Sequence, residues 1–430
     1  MTAVIGTAAL TCAGMILCVL RGMEIRRMHL PVYFIVTLLG ALLMLLLGML
    51  PVGEAVKALT ADSAVNPLKI LILFLSITML SVFLDETGFF RYMAALALRH
   101  AGKNPFRLFT VLYIVVSVLT AFTSNDVIIL TFTPFVCYFC RAAGAHPLPY
   151  LIGEFVAANT FSMLLEIGNP TNIYLSLAEG LTFGGYLSVM WLPTVLGGLT
   201  AYVVMLLLFR RHLRTPMADS MPQTDVTVDR PLAILGGIHL CGCTLLLALS
   251  DLLSLDMWLV ALCFCVSLFV CVWICQSIRK KHSEVLLHTL RRAPWGFVPF
   301  LLSMFILVTA LAYNGVTEAF AGLLGSRAPV VVYGYLSAIF CNLVNNIPMT
   351  VLFGSVLSYA SLPASAAYAC VIGSNVGAFL TPIGALAGIM WSNMLKKQGV
   401  KLSYARFLLC GSAIALPALT ASLLGLFLVF

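Results

Sequence analysis

Long apolar runs, separated by short polar segments, extend over nearly the whole chain. A helix that crosses a bilayer needs about 20 mostly apolar residues. Eight runs approach this length and predict spanning helices at 3–20, 31–50, 67–84, 184–209, 231–250, 256–277, 294–313 and 404–430. The pattern therefore predicts an all-α integral membrane protein that crosses the bilayer many times.

Four other apolar regions are interrupted by polar residues, glycine or proline. We expect 105–143 and 328–361 to be re-entrant hairpins, each of which enters and leaves on one side of the membrane. We expect 147–180 and 364–395 to be interrupted helices that cross once. Together with the uninterrupted runs, these regions predict about ten spanning helices plus two hairpins.

The composition agrees with a membrane protein. Only 9% of the 430 residues are charged, whereas a soluble domain carries about 25%, so lipid must surround most of the chain. The net charge of +8 comes from short basic clusters between apolar runs, a pattern typical of membrane topology. We therefore exclude nucleic acid as a partner and expect a multi-pass membrane protein.

Lysine and arginine positions predict the orientation, because basic residues concentrate in cytoplasmic loops. With two hairpins and two interrupted spans, all but three of the 24 basic residues face the cytoplasm, including Arg26, Arg27, Lys280 and Lys281. Both termini then lie outside, and the polar stretch 210–230 is a cytoplasmic linker. Ordinary helix pairs in place of the hairpins would keep the same bias.

The linker separates an N-terminal half, 1–209, from a C-terminal half, 231–430. Three weak matches between the halves occur in the same order. Leu84, Gly88, Ala94 and Leu96 match Leu311, Gly315, Ala321 and Leu323; Ser124 and Asn125 match Asn345 and Asn346; Asn159, Leu164, Ile167 and Gly168 match Asn375, Leu380, Ile383 and Gly384. Each half crosses an odd number of times, which predicts inverted repeats, a pointer to a transporter site near the bilayer midplane.

The thirteen cysteines lie mostly inside apolar runs and are read as small apolar residues at helix contacts. Cys137 and Cys140 form a CxxC, but no second pair or nearby histidines accompany it, so we predict neither zinc nor a disulfide framework. The first twenty residues lack a basic start, which favours a retained span over a cleaved signal peptide.

The tips of the two hairpins carry short polar residues at membrane depth. The first tip contains Ser124, Asn125 and Asp126, and the second contains Asn345 and Asn346. A free helix N-terminus donates unpaired N–H groups and carries about half a positive charge. The first tip could hold an anion on backbone donors, or a cation on carbonyls and Asp126. The alternatives are an ordinary turn between full helices at the first tip and an ordinary loop at the second.

The two interrupted helices combine asparagine with glycine and proline. The first carries Asn159, Glu166, Gly168, Asn169 and Thr171. The second carries Asn375, Thr381 and Pro382. Proline removes a backbone donor and glycine permits unusual dihedrals, so each helix is expected to break and turn backbone polar groups inward. The alternative is a kinked helix packed on small residues.

Asp126, Glu154 and Glu166 are acids within apolar regions, where a charge costs about 2.5–3.5 kcal/mol or more. Asp126 and Glu166 lie at helix breaks, so we expect them to couple an ion or a proton. Glu154 lies either near the membrane interface or deeper. Asp85 and Glu86 are expected to form a structural salt bridge with nearby Arg91.

At these residues the chain resembles the bacterial arsenite efflux permeases of the ion transporter superfamily. The resemblance covers nearly the whole chain and is clearest at 84–90, 124–126, 293–295, 345–348 and 381–387. It implies a multi-pass protein of the bacterial inner membrane with a scaffold and a mobile transport portion in each half. It leaves open a homodimer and, for an arsenite-type pump, a soluble ATPase subunit. The segment 166–172 is closer to members that carry organic or inorganic anions, citrate-type permeases among them, or that exchange sodium for protons.

These observations predict a secondary active transporter that moves a small anion or metalloid oxyanion by alternating access, coupled to protons or sodium. A sodium/proton antiporter of the same superfamily is the alternative. The sequence contains no HExxH pair, P-loop or nucleophile elbow, so we do not expect an enzyme. We expect no catalytic residue, resident metal or cofactor beyond the coupling ion, H⁺ or Na⁺. The predicted substrate or ion site comprises Ser124, Asn125, Asp126, Asn159, Glu166, Gly168, Asn169, Thr171, Asn345, Asn346, Asn375, Thr381 and Pro382.

Overall fold

The computed structural model describes residues 1–21, 24–25, 30–62, 65–215, 217, 227–279 and 284–430. The predicted cytoplasmic positions Arg26, Arg27, Lys280 and Lys281, and linker residues 216 and 218–226, lie outside the described residues. The described chain is almost entirely helical, which confirms the predicted all-α class; its two strands, β1 (Glu24–Ile25) and β2 (Leu30–Pro31), form one short antiparallel pair.

The helices of the N-terminal half are α1 (Thr2–Leu20), α2 (Tyr33–Leu46), α3 (Val52–Thr60), α4 (Pro67–Glu86), α5 (Phe89–Ala101), α6 (Pro105–Phe122), α7 (Asn125–Ala142), α8 (Leu148–Phe161), α9 (Pro170–Ala178) and α10 (Phe183–Phe209). Those of the C-terminal half are α11 (Arg230–Ala248), α12 (Met257–Arg279), α13 (Val285–Arg292), α14 (Phe297–Tyr313), α15 (Val316–Leu324), α16 (Pro329–Val344), α17 (Asn346–Ala360), α18 (Ala364–Val376), α19 (Leu386–Lys397) and α20 (Tyr404–Val429). Short 3₁₀ turns occupy Glu166–Gly168, His212–Arg214 and Gly377–Phe379.

Each of the eight uninterrupted apolar runs contains a helix, namely α1, α2, α4, α10, α11, α12, α14 and α20. By length and composition, seven helical segments among the described residues are suited to cross a membrane. Large apolar side chains such as Leu207, Leu245 and Trp273 lie exposed on the outer faces of these helices. Such a surface is stable in contact with lipid, and it would be unfavourable in water.

Both regions predicted to contain interrupted helices are broken. Region 147–180 consists of α8, an irregular stretch with one 3₁₀ turn, and α9; region 364–395 follows the same plan with α18 and α19. Regions 105–143 and 328–361 each form two helices that meet at a polar tip. The arms are 15 to 18 residues long, or about 23–27 Å, against a hydrocarbon core of about 30 Å. Re-entrance stays a prediction.

The two halves share details of local structure. Gly88 and Gly315, which the sequence comparison aligns, both precede a short helix in the left-handed conformation, with φ of 85° and 75°. Helix α6 packs on α8 as α16 packs on α18, and α7 packs on α19 as α17 packs on α9. Two halves with the same fold would make such matched contacts. The inversion of the second half relative to the first stays a prediction.

An ion-pair group joins α4 to α13, and its cation differs from the one that the sequence predicted. Arg292 contacts Asp85 at 2.7 Å and also pairs with Glu86, so the expected pairing with Arg91 is wrong. Arg292 lies more than 200 residues from these acids in sequence, which is why a local sequence argument selected the nearer cation. Next to this group, the Asp229 amide donates to the Thr87 carbonyl at 3.2 Å and ties the end of the linker to the first half.

Candidate substrate site at the helix breaks

The first break is built by the sequence Asn169-Pro170-Thr171-Asn172. The Asn169 side chain caps α9 by accepting a hydrogen bond from the Thr171 amide at 3.2 Å, and Pro170 occupies the first turn, where its missing N–H has no consequence. The Asn172 side-chain amide donates to the carbonyls of Ser162 and Leu165, at 2.8 and 3.2 Å. Helix α8 ends before these carbonyls, so neither can bond within the helix; the Leu165 carbonyl also accepts from the Gly168 amide at 3.1 Å.

Asn375, in the second interrupted helix, connects the two breaks. Its Oδ1 accepts hydrogen bonds from Ser162 Oγ at 2.9 Å and Asn169 Nδ2 at 3.1 Å. Its Nδ2 donates to Asn172 Oδ1 at 2.7 Å, and nearby Ser374 donates to Thr171 at 3.3 Å. All these side chains are buried. We call Ser162, Asn169, Thr171, Asn172, Ser374 and Asn375 the central cluster.

The first hairpin tip extends this network. Asn125 Nδ2 donates to Asn159 Oδ1 at 3.3 Å, and the Asn159 carbonyl accepts from Ser162 Oγ at 2.8 Å. Ser124 precedes α7, yet its side chain forms no capping bond, and its buried hydroxyl has no partner among the described residues. The first amides of α7 therefore lack a side-chain acceptor at a helix end that favours negative charge.

Asp126 lies in the first turn of α7, and its side chain is only partly buried. It interacts electrostatically with Tyr33 of α2. No ion pair of its carboxylate is found among the described residues. The acid is therefore located at the tip, as predicted, where a cation or a proton could neutralise it.

The second tip is fastened to the second break instead. Asn345, at a φ of 77°, donates from Nδ2 to the Ile383 carbonyl at 3.0 Å. The Asn346 backbone N–H donates to the Gly384 carbonyl at 3.0 Å. The buried side-chain Oδ1 of Asn346 has no partner within the described chain. The Thr381 hydroxyl and amide both donate to Asn342 Oδ1, at 2.6 and 3.0 Å.

The predicted site residues thus form two hydrogen-bonded groups. Asn125, Asn159, Asn169, Thr171 and Asn375 belong to the network of the central cluster. Asn345, Asn346 and Thr381 belong to the second tip. A single cavity lined by both groups stays a prediction.

Two predicted residues act at the first break without joining either group. Gly168 packs so closely on the Ser162 carbonyl that an added Cβ would lie 2.2 Å from the oxygen. Glu166 is fully buried. The Ser176 hydroxyl lies beside its carboxylate, yet neither group completes a hydrogen bond with described residues. Glu166 also interacts with Tyr186 and Tyr368. The Asp251 carboxylate, a like charge, repels it.

Pro382, the last predicted residue, lines a cavity of about 650 Å³ that extends to Lys396 and Lys401. A neighbouring cavity of about 340 Å³ shares Lys401 and adds Arg141 and Arg406. All the lining residues belong to the described chain, and none of them is Asp or Glu. We call the two cavities the basic vestibule. Its basic residues lie on the side that the charge pattern predicts to be cytoplasmic.

His146 also lines the vestibule, where its ring lies 4.8 Å from that of His212. Burial lowers the pKa of His146, and the nearby His212 and Arg406 lower it further. At neutral pH the positive charge of the vestibule therefore comes from its lysines and arginines rather than from this histidine.

Comparison with known proteins identifies the family of this fold and site. The family profile described as CitMHS, citrate transporter, matches residues 16–367, well over half of the chain. The chain belongs to the CitMHS family. As a CitMHS member it is a multi-pass membrane transporter, which confirms the predicted membrane class and the predicted anion-permease resemblance.

Individual relatives agree with this assignment. The chain is 30% identical over 371 residues to the arsenical pump membrane protein of Yersinia enterocolitica, covering 82% of this chain and 84% of the relative. It is 29% identical to the protein of that name from Escherichia coli K12, with the same coverage. Among solved structures, the Alcanivorax borkumensis YdaH transporter superposes with a TM-score of 0.60 at 15% identity, covering 87% of this chain and 86% of the other. This likeness shows a shared fold.

Four residues of the two groups were absent from the predicted site. Asn172, Ser374 and Asn342 occur in the polar motifs of the tips and breaks, so the density of asparagine and serine at these points could have identified them. Ser162 gave no such signal, because a serine in an apolar helix often bonds only its own backbone. Its contact with Asn375 spans 213 residues and emerges only in the folded chain.

Proposed function

We propose that this CitMHS protein is a secondary active transporter that moves a small anion or metalloid oxyanion by alternating access, driven by a proton or sodium gradient. The observation that carries the proposal is the bonding of Asn375 to residues of the other break. Two broken helices from opposite halves of the chain meet through uncharged donors and acceptors. Irregular backbone at membrane depth is stable only where protein or a water-filled cavity covers it.

An anion suits the donors that the site offers. The uncapped start of α7 supplies amides and the Ser124 hydroxyl, and none of the site groups contains a lysine or arginine. Dipoles can hold an anion without binding it so strongly that it cannot leave. The basic vestibule supports the same class, because a cavity lined by one sign of charge raises the local concentration of the opposite ion.

Two relatives are named arsenical pump membrane proteins, and the family is named for citrate. Both names refer to oxygen-rich substrates, which backbone amides and side-chain hydroxyls can bind. We therefore place the substrate among metalloid oxyanions, carboxylates and inorganic oxyanions. The protein needs no resident cofactor, only the coupling ion.

The acids at the helix breaks favour a second candidate, a sodium/proton antiporter. Glu166 has no hydrogen-bond partner for either oxygen within the described chain, and Asp126 lies at the first tip. An acid in such a position must be neutralised by a proton or a bound cation. In the anion transporter these acids carry the coupling ion; in an antiporter they would be the whole transport site.

Transport by purified protein in liposomes distinguishes the two candidates. Arsenite, antimonite, citrate, phosphate and sulfate are offered singly under an imposed proton or sodium gradient. We expect one class to accumulate above empty liposomes, and the Asn375→Ala protein to lose that uptake. Exchange of sodium for protons in the absence of any anion, with no uptake from the panel, would instead establish the antiporter.

A further inference from the structure

Glu154 is a further buried acid, outside the substrate site described above. It belongs to α8, and its side chain has no exposed surface. Helix α8 packs against α6, α7, α10 and α18, so Glu154 lies inside the bundle. The depth of Glu154 relative to the membrane interface stays a prediction.

The surroundings of Glu154 support only one charge state in this conformation. Thr133 of α7 donates a 2.8 Å hydrogen bond to Oε1, whereas Oε2 has no partner among the described residues. The titratable side chain that interacts with it is the uncharged Cys137 thiol of α7. From the described parts of α6, α10 and α18, no charged side chain interacts with the carboxylate.

The nearest cation on α7 is turned elsewhere. Arg141, one turn beyond Cys137, donates to the Gln398 carbonyl at 2.9 Å. An ionised Glu154 would thus be a buried charge with one hydrogen bond and no counter-ion, which is strongly unfavourable. Glu154 therefore holds a proton in this conformation.

The position of Glu154 connects two regions already described. Leu148, at the start of α8, lines the basic vestibule, as does Cys137. Asn159, farther along the same helix, bonds the first tip. At a rise of about 1.5 Å per residue, Glu154 lies about 9 Å beyond Leu148 and about 8 Å before Asn159.

A weak point in α7 lies beside it. Pro134 follows Thr133 inside the helix and has no N–H to donate to the Leu130 carbonyl. The Leu130 carbonyl, three residues before Thr133, therefore lacks the donor that a non-proline residue would supply. A water entering there from the vestibule would find an acceptor close to the acid.

We propose that Glu154 is a proton-binding site that exchanges with water of the basic vestibule and whose occupancy is linked to substrate movement. In the vestibule-open state a hydronium ion transfers its proton to the carboxylate, which becomes a neutral carboxylic acid and leaves water behind. Release reverses this step when the conformational change brings water or a cation to Oε2. The inference rests on the proposed transport function and adds the identity of one coupling ion.

The first test compares Glu154→Gln with wild-type protein in liposomes. Glutamine keeps the shape and the acceptor for Thr133 but cannot ionise. We expect accumulation driven by a proton gradient to fall at least tenfold, to the level of empty liposomes. We also expect substrate exchange to lose its dependence on vestibule-side pH. Glu54→Gln is the control, because Glu54 is an exposed acid on α3 and its replacement should leave both readings at wild-type values.

The outcomes separate this inference from the transport proposal. If Glu154→Gln keeps proton-driven accumulation and the wild-type pH profile, the proposed proton site is wrong. That result would not contradict the proposed transport function. The same conclusion follows if sodium alone drives the wild-type protein. A wild-type protein that moves nothing from the panel would contradict the proposed function instead.

A second measurement on wild-type protein avoids dependence on the variant's folding. Hydrophobic carbodiimides modify protonated carboxyl groups in apolar surroundings, and mass spectrometry locates the adduct. We expect modification at Glu154 with a yield that falls as pH rises. If Glu154 remains unmodified over the pH range in which the protein is folded, the proposed proton exchange is wrong.

Discussion

Asn375 Nδ2 donates a 2.7 Å hydrogen bond to Asn172 Oδ1, and the two asparagines come from helix breaks in opposite halves of the chain. Each also bonds the backbone of its own half, Asn375 at the Val371 carbonyl and Asn172 at the Ser162 and Leu165 carbonyls. One pair of amides therefore holds each broken helix in shape and fixes the two breaks against each other.

Replacement of Asn375 by alanine should damage both stability and transport. The change removes the hydrogen bonds that Ser162, Asn169 and Asn172 make to Asn375, and each buried group left unsatisfied costs about 1–3 kcal/mol. We expect a lower unfolding temperature in detergent and loss of substrate uptake. Ser188→Ala is the control, since the Ser188 hydroxyl is exposed and bonds only its own helix; equal effects of the two variants would contradict a special role for Asn375.

Gly168→Ala tests the close packing at the first break. The new Cβ would meet the Ser162 carbonyl oxygen at 2.2 Å, and backbone atoms cannot easily move away. We expect a loss of about 1–3 kcal/mol in stability, as for other overpacked sites, together with loss of uptake. At Gly184, in α10, an added Cβ has nothing within 4 Å, so Gly184→Ala should be neutral or slightly stabilising in the same thermal assay.

Asp126→Asn tests coupling at the first tip. Asparagine keeps the shape and an acceptor oxygen but removes the charge. We expect the variant to reach the membrane, to lose gradient-driven uptake and to retain substrate exchange. If Asp126 serves only as a helix cap, asparagine replaces it about equally well, and uptake under an imposed gradient would remain at the wild-type rate.

Neutralising the basic vestibule should slow transport in a salt-dependent way. The triple variant Lys396→Gln, Lys401→Gln, Arg406→Gln removes most of its fixed charge. We expect initial uptake from the vestibule side to fall about tenfold at low salt. The deficit should shrink at 1 M salt, where screening acts within about 3 Å. Arg99→Gln, an exposed cation outside the vestibule, should match wild type, and a neutral substrate would show no salt effect.

Membrane orientation can be checked by cysteine labelling in whole cells. In a background without exposed native cysteines, an impermeant reagent should label Glu54→Cys and Asp251→Cys from outside. Arg214→Cys should react only after the membrane is permeabilised. Lys281→Cys, at a position outside the described residues, should behave in the same way. External labelling at position 281 would invalidate the predicted sidedness.

The sequence predicted features that depend on local composition. Apolar length located the eight uninterrupted helices, because the bilayer imposes it, and Gly-Pro-Asn motifs located both breaks. Contacts between segments far apart in the sequence could not be predicted in this way. Neither the pairing of Asp85 with Arg292 nor the bond of Ser162 with Asn375 leaves a local pattern. The short helices α3, α5, α13 and α15 were also missed, since each is too short to give a membrane signal.

Helices α10 and α20, which end the two halves, pack along each other, and the Ser422 hydroxyl donates to the Pro193 carbonyl at 3.0 Å. With the bonds of the central cluster, this contact attaches the halves by surfaces that do not involve the linker. Two separate polypeptides, cut between Thr215 and Thr227 and produced in the same cell, should therefore assemble in the bilayer into a working complex. The covalent connection then serves chiefly to deliver both parts in equal number.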